Sequence, residues 1–160
     1  MMPETEARRL LQELLDAEST LVLSTAGEEA GVLSAPLFYV PGADGTLYWL
    51  SAPTSRHSVA LAATPQVAVS IFARTFDWEA IRGAQLEGEA AVVGDEAERA
   101  GVLARYRERF ALPASFEGAI ARSALYVFRP RWARYLDNAR GFGFRAEVDF
   151  GAARSGRRVS

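Results

Sequence analysis

The stretch richest in chemistry is Ser51-Ala52-Pro53-Thr54-Ser55-Arg56-His57-Ser58. Its surroundings place it between a strand and a short helix. A helix start offers unpaired N–H groups and a partial positive charge. Hydroxyls from Ser51, Thr54 and Ser55, one guanidinium and one imidazole around such a start make a cradle for a phosphate. The same residues also make a plain N-cap beside a solvated arginine, and the sequence leaves both readings open. Other chemistries have less to work with. There is no cysteine and one histidine, His57, so thiol nucleophiles and thiolate or multi-histidine metal sites are excluded, and no metal site is expected. No G-x-S-x-G elbow, Walker loop or G-x-G-x-x-G fingerprint is present. All 18 basic residues are arginine, so a lysine Schiff base is impossible, and a bound phosphate must be held by arginine, hydroxyls or backbone N–H groups.

The elements that would position these groups can be read from patterning. Residues 5–18 carry Ala7, Leu10, Leu11, Leu14 and Leu15 on one helical stripe. TLVLST (20–25), GVLSAPLFYV (31–40) and TLYWLS (46–51) read as strands joined by tight connections, hence as antiparallel neighbours. Pro36 marks an edge, a bulge or a ligand-facing break. Residues 54–63 read as a short helix capped by Thr54 or Ser55, with Pro65 beyond its end. QVAVSIFA (66–73) alternates with period two, and residues 81–93 form a long strand. Asp95 and Glu98 have the spacing of a capping box, opening a helix to about Phe110 with Ala100, Leu103, Tyr106 and Phe110 buried. ALYVFR (124–129) and WARYLD (132–137) read as two strands bent at Pro130, followed by the glycine-rich turn NARGFGF. Trp49, Trp78 and Trp132 read as core or interface fillers. Gln85 points either idly outward or toward a ligand.

About seven strands with helices at their flanks give a mainly β fold, and an antiparallel barrel closes that many strands without free edges. One domain over residues 1–150 is expected, with residues 151–160 as a flexible tail. With 160 residues, 49% hydrophobic and 24% charged, the chain can bury a core. No run approaches the about 20 apolar residues of a membrane helix. No secretory leader is legible, and the cytoplasm is the default compartment. A net charge of −2 with interspersed signs argues against a nucleic-acid partner.

Taken in order, LYWLS–TSRHSVALAATP–QVAVSIF, then IRGAQLEGEAAVV, then LDNARGFGF resemble the pyridoxamine 5′-phosphate oxidase-like, FMN-binding split β-barrel proteins, over about residues 14–144. RGAQLEGE, TSRH and the ending are nearest a small branch called YhbP-like. The resemblance implies a homodimer with cofactor sites at its interface and FMN as cofactor, ahead of deazaflavin or haem. It points to Ser51, Ser55, Arg56 and His57 at the phosphate, to backbone groups of Ser34, Ala35, Pro36 and Leu37 along the ring, and to the side chain of Gln85 near it. The oxidases often carry an arginine and a lysine where this chain has Ser34 and Tyr39, and a lysine where it has His57. Their arginine-rich C-terminal substrate segment is replaced by LDNARGFGF. Oxidation of pyridoxamine phosphate is therefore not expected. The implied function is an FMN-dependent oxidoreductase of another small molecule. The alternative is a non-catalytic split barrel holding flavin, deazaflavin or haem.

Overall fold

A computed structural model describes residues 1–151. The expected flexible tail lies, Gly151 apart, outside the described residues. Eight strands form one antiparallel sheet: β1 (Thr20–Gly27), β2 (Gly31–Phe38), β3 (Val40–Pro41), β4 (Leu47–Ser51), β5 (Gln66–Phe72), β6 (Arg82–Val92), β7 (Ala124–Asp137) and β8 (Arg145–Asp149). Their order is β2-β1-β5-β6-β7-β4-β3, with β8 added to β7. The sheet curls through 201° into a half-barrel, an antiparallel split β-barrel with flanking helices. Among the described residues no helix is long and apolar enough to cross a membrane.

The core follows from the alternation. Leu21 and Leu23 of β1, Val67, Val69 and Ile71 of β5, and Leu86 of β6 are buried with Trp49 and Phe128. Helix α1 (Glu4–Ala17) lays its predicted stripe into this core, where Leu14 and Leu15 are fully buried. Its last turn has no basic residue to meet the free carbonyls. Arg109 supplies that charge from helix α3 (Glu96–Phe110), donating to Asp16 O and Glu18 O. Helix α3 covers a second, smaller core of Tyr48, Val93, Val102, Leu125 and Val127. Asp95 caps α3 by accepting from Glu98 N. The return half of a capping box is not made, because the Glu98 carboxylate is taken by Tyr48 OH. Ala100, expected inside, is exposed, and Val102 takes its place.

Three expectations need correction. The strands between 20 and 51 are not all neighbours: β1 pairs β2 and β3 pairs β4, but no ladder joins β2 to β3 or β4. The chain turns inward at Tyr39, fully buried with its hydroxyl on Leu15 O at 2.6 Å, and the barrel splits there. Residues 124–137 are one strand rather than two. Its bend at Pro130 is a bulge: Glu87 pairs Trp132 and Gly88 pairs Pro130, so Arg131 is the extra residue. Residues 145–149 add the eighth strand, pairing Trp132–Leu136.

Pro36 resolves to an edge. Tyr39 N donates to Ser19 O, so by ladder alternation residues 37, 35 and 33 bond to β1 while 34, 36 and 38 turn their N–H side to the free edge. Proline sits where its missing donor breaks no ladder bond.

The bulge depends on Gly88, where an added Cβ would lie 2.1 Å from Arg129 O and 2.8 Å from Pro130 Cα. Both contacts are backbone and cannot swing aside. Gly88→Ala is expected to destabilise the fold by about 1–3 kcal/mol, read from the urea midpoint at unchanged m-value.

Candidate functional site

Strand β4 ends at Ser51, pairing Ala124. Four residues later Ser55 caps helix α2 (Arg56–Ala63), its hydroxyl accepting from Ser58 N at 3.4 Å. This short connection brings two serines onto His57 and a third beneath them. Ser51 Oγ lies 2.6 Å from His57 Nε2, Ser55 Oγ 3.1 Å from the same nitrogen, and Ser51 Oγ and Ser55 Oγ are 3.3 Å apart. Ser55 Oγ also donates to Ser58 Oγ at 2.7 Å. Ser58 is the buried floor of the cluster, and the sequence reading missed it. The cue was its place three residues after the cap, where the first helical turn brings it back beneath Ser55. Thr54 is exposed, makes no side-chain hydrogen bond and stands outside the cluster. Arg56 is exposed at the helix start and has no hydrogen bond or ion pair among the described residues.

Burial lowers the His57 pKa below its usual value of about 6.5. At neutral pH the imidazole is therefore uncharged, and Nε2 can accept from a serine hydroxyl. The cluster thus offers hydroxyl donors, a proton-accepting ring and one free positive charge. That set is suited to an anion, and a neutral imidazole is also the form that ligates a metal.

The residues expected along a cofactor ring divide. In β2, Ser34 and Pro36 oppose Ser24 and Val22 on the outer face, whereas Ala35 and Leu37 oppose Leu23 and Leu21 on the core side. Their side chains alternate between the two faces, so what the four residues present in common is backbone. Gln85 is exposed on the outer face, opposite Ser70. One row runs across the sheet from Pro36 through Val22, Ser70 and Gln85 to Arg134. Pro36 and Gln85 are three strand spacings apart, about 14 Å. Arg134 ends the row unforeseen by sequence reasoning. Its guanidinium lies 5.1 Å from the Trp132 ring centroid and 2.9 Å from Glu147 Oε1. Among the described residues no hydrogen bond joins this row to the Ser51–His57 cluster. No group of three or more His, Cys, Asp or Glu residues there could hold a metal ion.

Trp49 is fully buried, as expected of a core filler. Trp78 is not: it is 57% exposed and meets Phe142 edge-on, ring centroids 5.8 Å apart.

A curled antiparallel sheet, split between β2 and β3 and carrying a short helix after β4, defines a split β-barrel. The chain belongs to the pyridoxamine 5′-phosphate oxidase family, whose profile matches residues 7–142. No curated protein matches the chain in sequence. Solved structures share the fold. A haem-binding protein from Mycobacterium smegmatis is 18% identical at a TM-score of 0.73, over 93% of this chain and 59% of its own. HutZ, the haem storage protein from Vibrio cholerae, is 21% identical at 0.60, over 81% and 91%. ChuZ from Campylobacter jejuni is 11% identical at 0.77, over 94% and 62%. The order that put FMN ahead of haem does not stand. A haem-binding and a haem-storage protein are among the structures with this fold, and haem ranks at least level with FMN.

The lowered His57 pKa has a stability consequence. The folded protein binds this proton less readily than the unfolded chain. The contribution is complete above about pH 6.5 and declines as pH falls toward the folded value. Thermal unfolding followed from pH 7.5 to 5 should show a loss of Tm that is smaller in His57→Gln, which cannot titrate there.

Proposed function

We propose that this protein is a split-barrel binder of a flat, anionic cofactor, with haem and flavin as the two candidate ligands, and that it holds the cofactor rather than turning over a substrate. The observation that carries the reading is the convergence of three serine hydroxyls and His57 at the start of α2, whose first residue, the exposed Arg56, has no hydrogen bond or ion pair among the described residues. The propionates of haem and the phosphate of a flavin both fit that set as anions. For haem, His57 would be the residue to hold the iron. It is the one imidazole in the chain, and the five tyrosines are all buried. Burial pushes Tyr39 well above the ordinary phenol range and Tyr106 and Tyr135 up to about 12, which disfavours a phenolate ligand. His57 Nε2 is engaged by Ser51 and Ser55, so ligation requires the ring to leave its hydroxyls or to use Nδ1. Bound haem would supply ligand-binding or redox iron chemistry, and bound flavin electron transfer through its ring.

The same proposal includes a homodimer in the cytoplasm, of the YhbP-like branch. The outer face of β1 and β5 carries the uncharged Val22, Ser24, Ala68, Ser70 and Phe72, a surface suited to burial against a second copy.

Titration of the purified protein with hemin and, separately, with FMN tests the reading. Hemin should give a Soret band that persists through desalting if haem is the ligand. A retained flavin spectrum would assign flavin instead, and retention of neither would overturn the proposal. Arg56→Ala should weaken the retained ligand by about 1.5–3 kcal/mol, roughly one to two decades in Kd.

A further inference from the structure

His57 is the one imidazole of the chain, and at neutral pH it is uncharged. A neutral imidazole carries a single ring proton, on Nδ1 or on Nε2, and the other nitrogen is a bare lone pair. The two forms give the site opposite characters at Nε2, an acceptor in one and a donor in the other. The hydroxyls around that nitrogen decide between them.

Ser55 Oγ has one hydrogen and donates it to Ser58 Oγ at 2.7 Å. None is left for His57 Nε2, 3.1 Å away. That contact is a hydrogen bond only if the imidazole supplies the proton. With Nε2 bare, its lone pair would face an oxygen lone pair at hydrogen-bond distance with no hydrogen between them. Ser51 Oγ, 2.6 Å from Nε2, fits either form, since it can give a proton to the ring or take one from it. With Nε2–H it shares the ring proton with Ser55. Its own hydrogen then turns to Ser55 Oγ at 3.3 Å or to a bound group. Only the Nε2–H form gives every contact of this triangle a proton.

Ser58 is what commits Ser55. It is 2% exposed, carried back under the cap by the first turn of α2, and its backbone N–H donates to Ser55 Oγ at 3.4 Å. Ser55 therefore both receives from Ser58 and gives to it. Without the Ser58 hydroxyl, the Ser55 hydrogen would be free to swing to Nε2, and the other tautomer would be satisfied equally well. Across the ring, Nδ1 makes no hydrogen bond among the described residues and is not shut away from solvent.

We infer that Ser58, acting through Ser55, is a positioning residue that holds His57 in its Nε2–H form, so that Nε2–H and the Ser51 hydroxyl are the donors offered to an anion and Nδ1 is the open ring nitrogen. For its ligand this rests on the binding reading above. The hydrogen bond made by one ring nitrogen sets what the other can hold, and a ring held by its N–H is already oriented. A flavin phosphate would meet the N–H side. The nitrogen free to hold a haem iron is Nδ1, and the ring then keeps its serines.

Full-length protein carrying 15N-labelled histidine presents a single imidazole, free of overlap. Without ligand at about pH 8, above the ordinary histidine range, Nε2 should give the pyrrole-type signal of a protonated nitrogen and Nδ1 the pyridine-type signal of a bare one. The reverse assignment, or two signals midway between the types, would overturn the inference. Ser58→Ala should draw the two signals toward each other or exchange them, and unchanged signals would remove the role of Ser58. If that variant does not fold, Ser55→Ala, which deletes the oxygen that calls for the ring proton, should move them the same way. Ser58→Ala should also bind whichever of hemin or FMN the wild type retains about two- to tenfold less tightly, the worth of one hydrogen bond. Unchanged affinity with moved signals would overturn the link from tautomer to ligand. A wild type that shows Nε2–H and retains neither probe removes the binding reading and leaves the tautomer assignment standing.

Discussion

Strand β7 has two edges and three partners, and it serves them by bending at Pro130 opposite Gly88. On one edge it follows β6 from Tyr126 to Asp137. On the other it gives residues 124–128 to β4 and 132–136 to β8. A straight strand of this length would keep all its neighbours in one gently twisted plane. The extra residue Arg131 adds the local coil that wraps the sheet round α1, and it fits because Gly88 has no side chain to oppose Arg129 O.

Most of the fold was legible because the deciding signals were local. The leucine stripe of α1, the period-two run of β5 and the cap at Ser55 each act within a few residues. What escaped depends on distant partners. Residues 145–149 do alternate, Ala146 and Val148 against Arg145, Glu147 and Asp149, but a five-residue run with two apolar positions is a weak signal, and it becomes a strand because β7 offers a free edge. The half-made capping box at Asp95 is a tertiary effect, since Tyr48, fifty residues before Glu98, claims its carboxylate. Pro130 signals a bend in the sequence, but only the register against β6 makes it a bulge within one strand.

The site divides in the same way. Ser51, Ser55 and His57 were legible as a group because one tight connection holds them. Ser58 was missed because its burial beneath Ser55 comes from helical geometry rather than from residue type. The quartet Ser34–Leu37 turns its side chains alternately to the two faces, so its common contribution along the strand is backbone. The ligand was less legible still. Hydroxyls, an imidazole and a guanidinium specify negative charge at one end of a molecule, and both haem and flavin present that. The family resemblance favoured FMN, whereas solved proteins of the same fold include one that binds haem and one that stores it.

The proline in β2 bears on how far association can go. Along the free side of that strand Val32 and Ser34 turn outward in succession, and the next position has no hydrogen to give. Two consecutive donors are too few to template a growing ladder. Copies that meet through their faces form a closed two-fold pair, whereas copies joined edge to edge could add without end. An open barrel with an unprotected rim is in principle a monomer for polymerisation, and one pyrrolidine ring makes this chain a poor one.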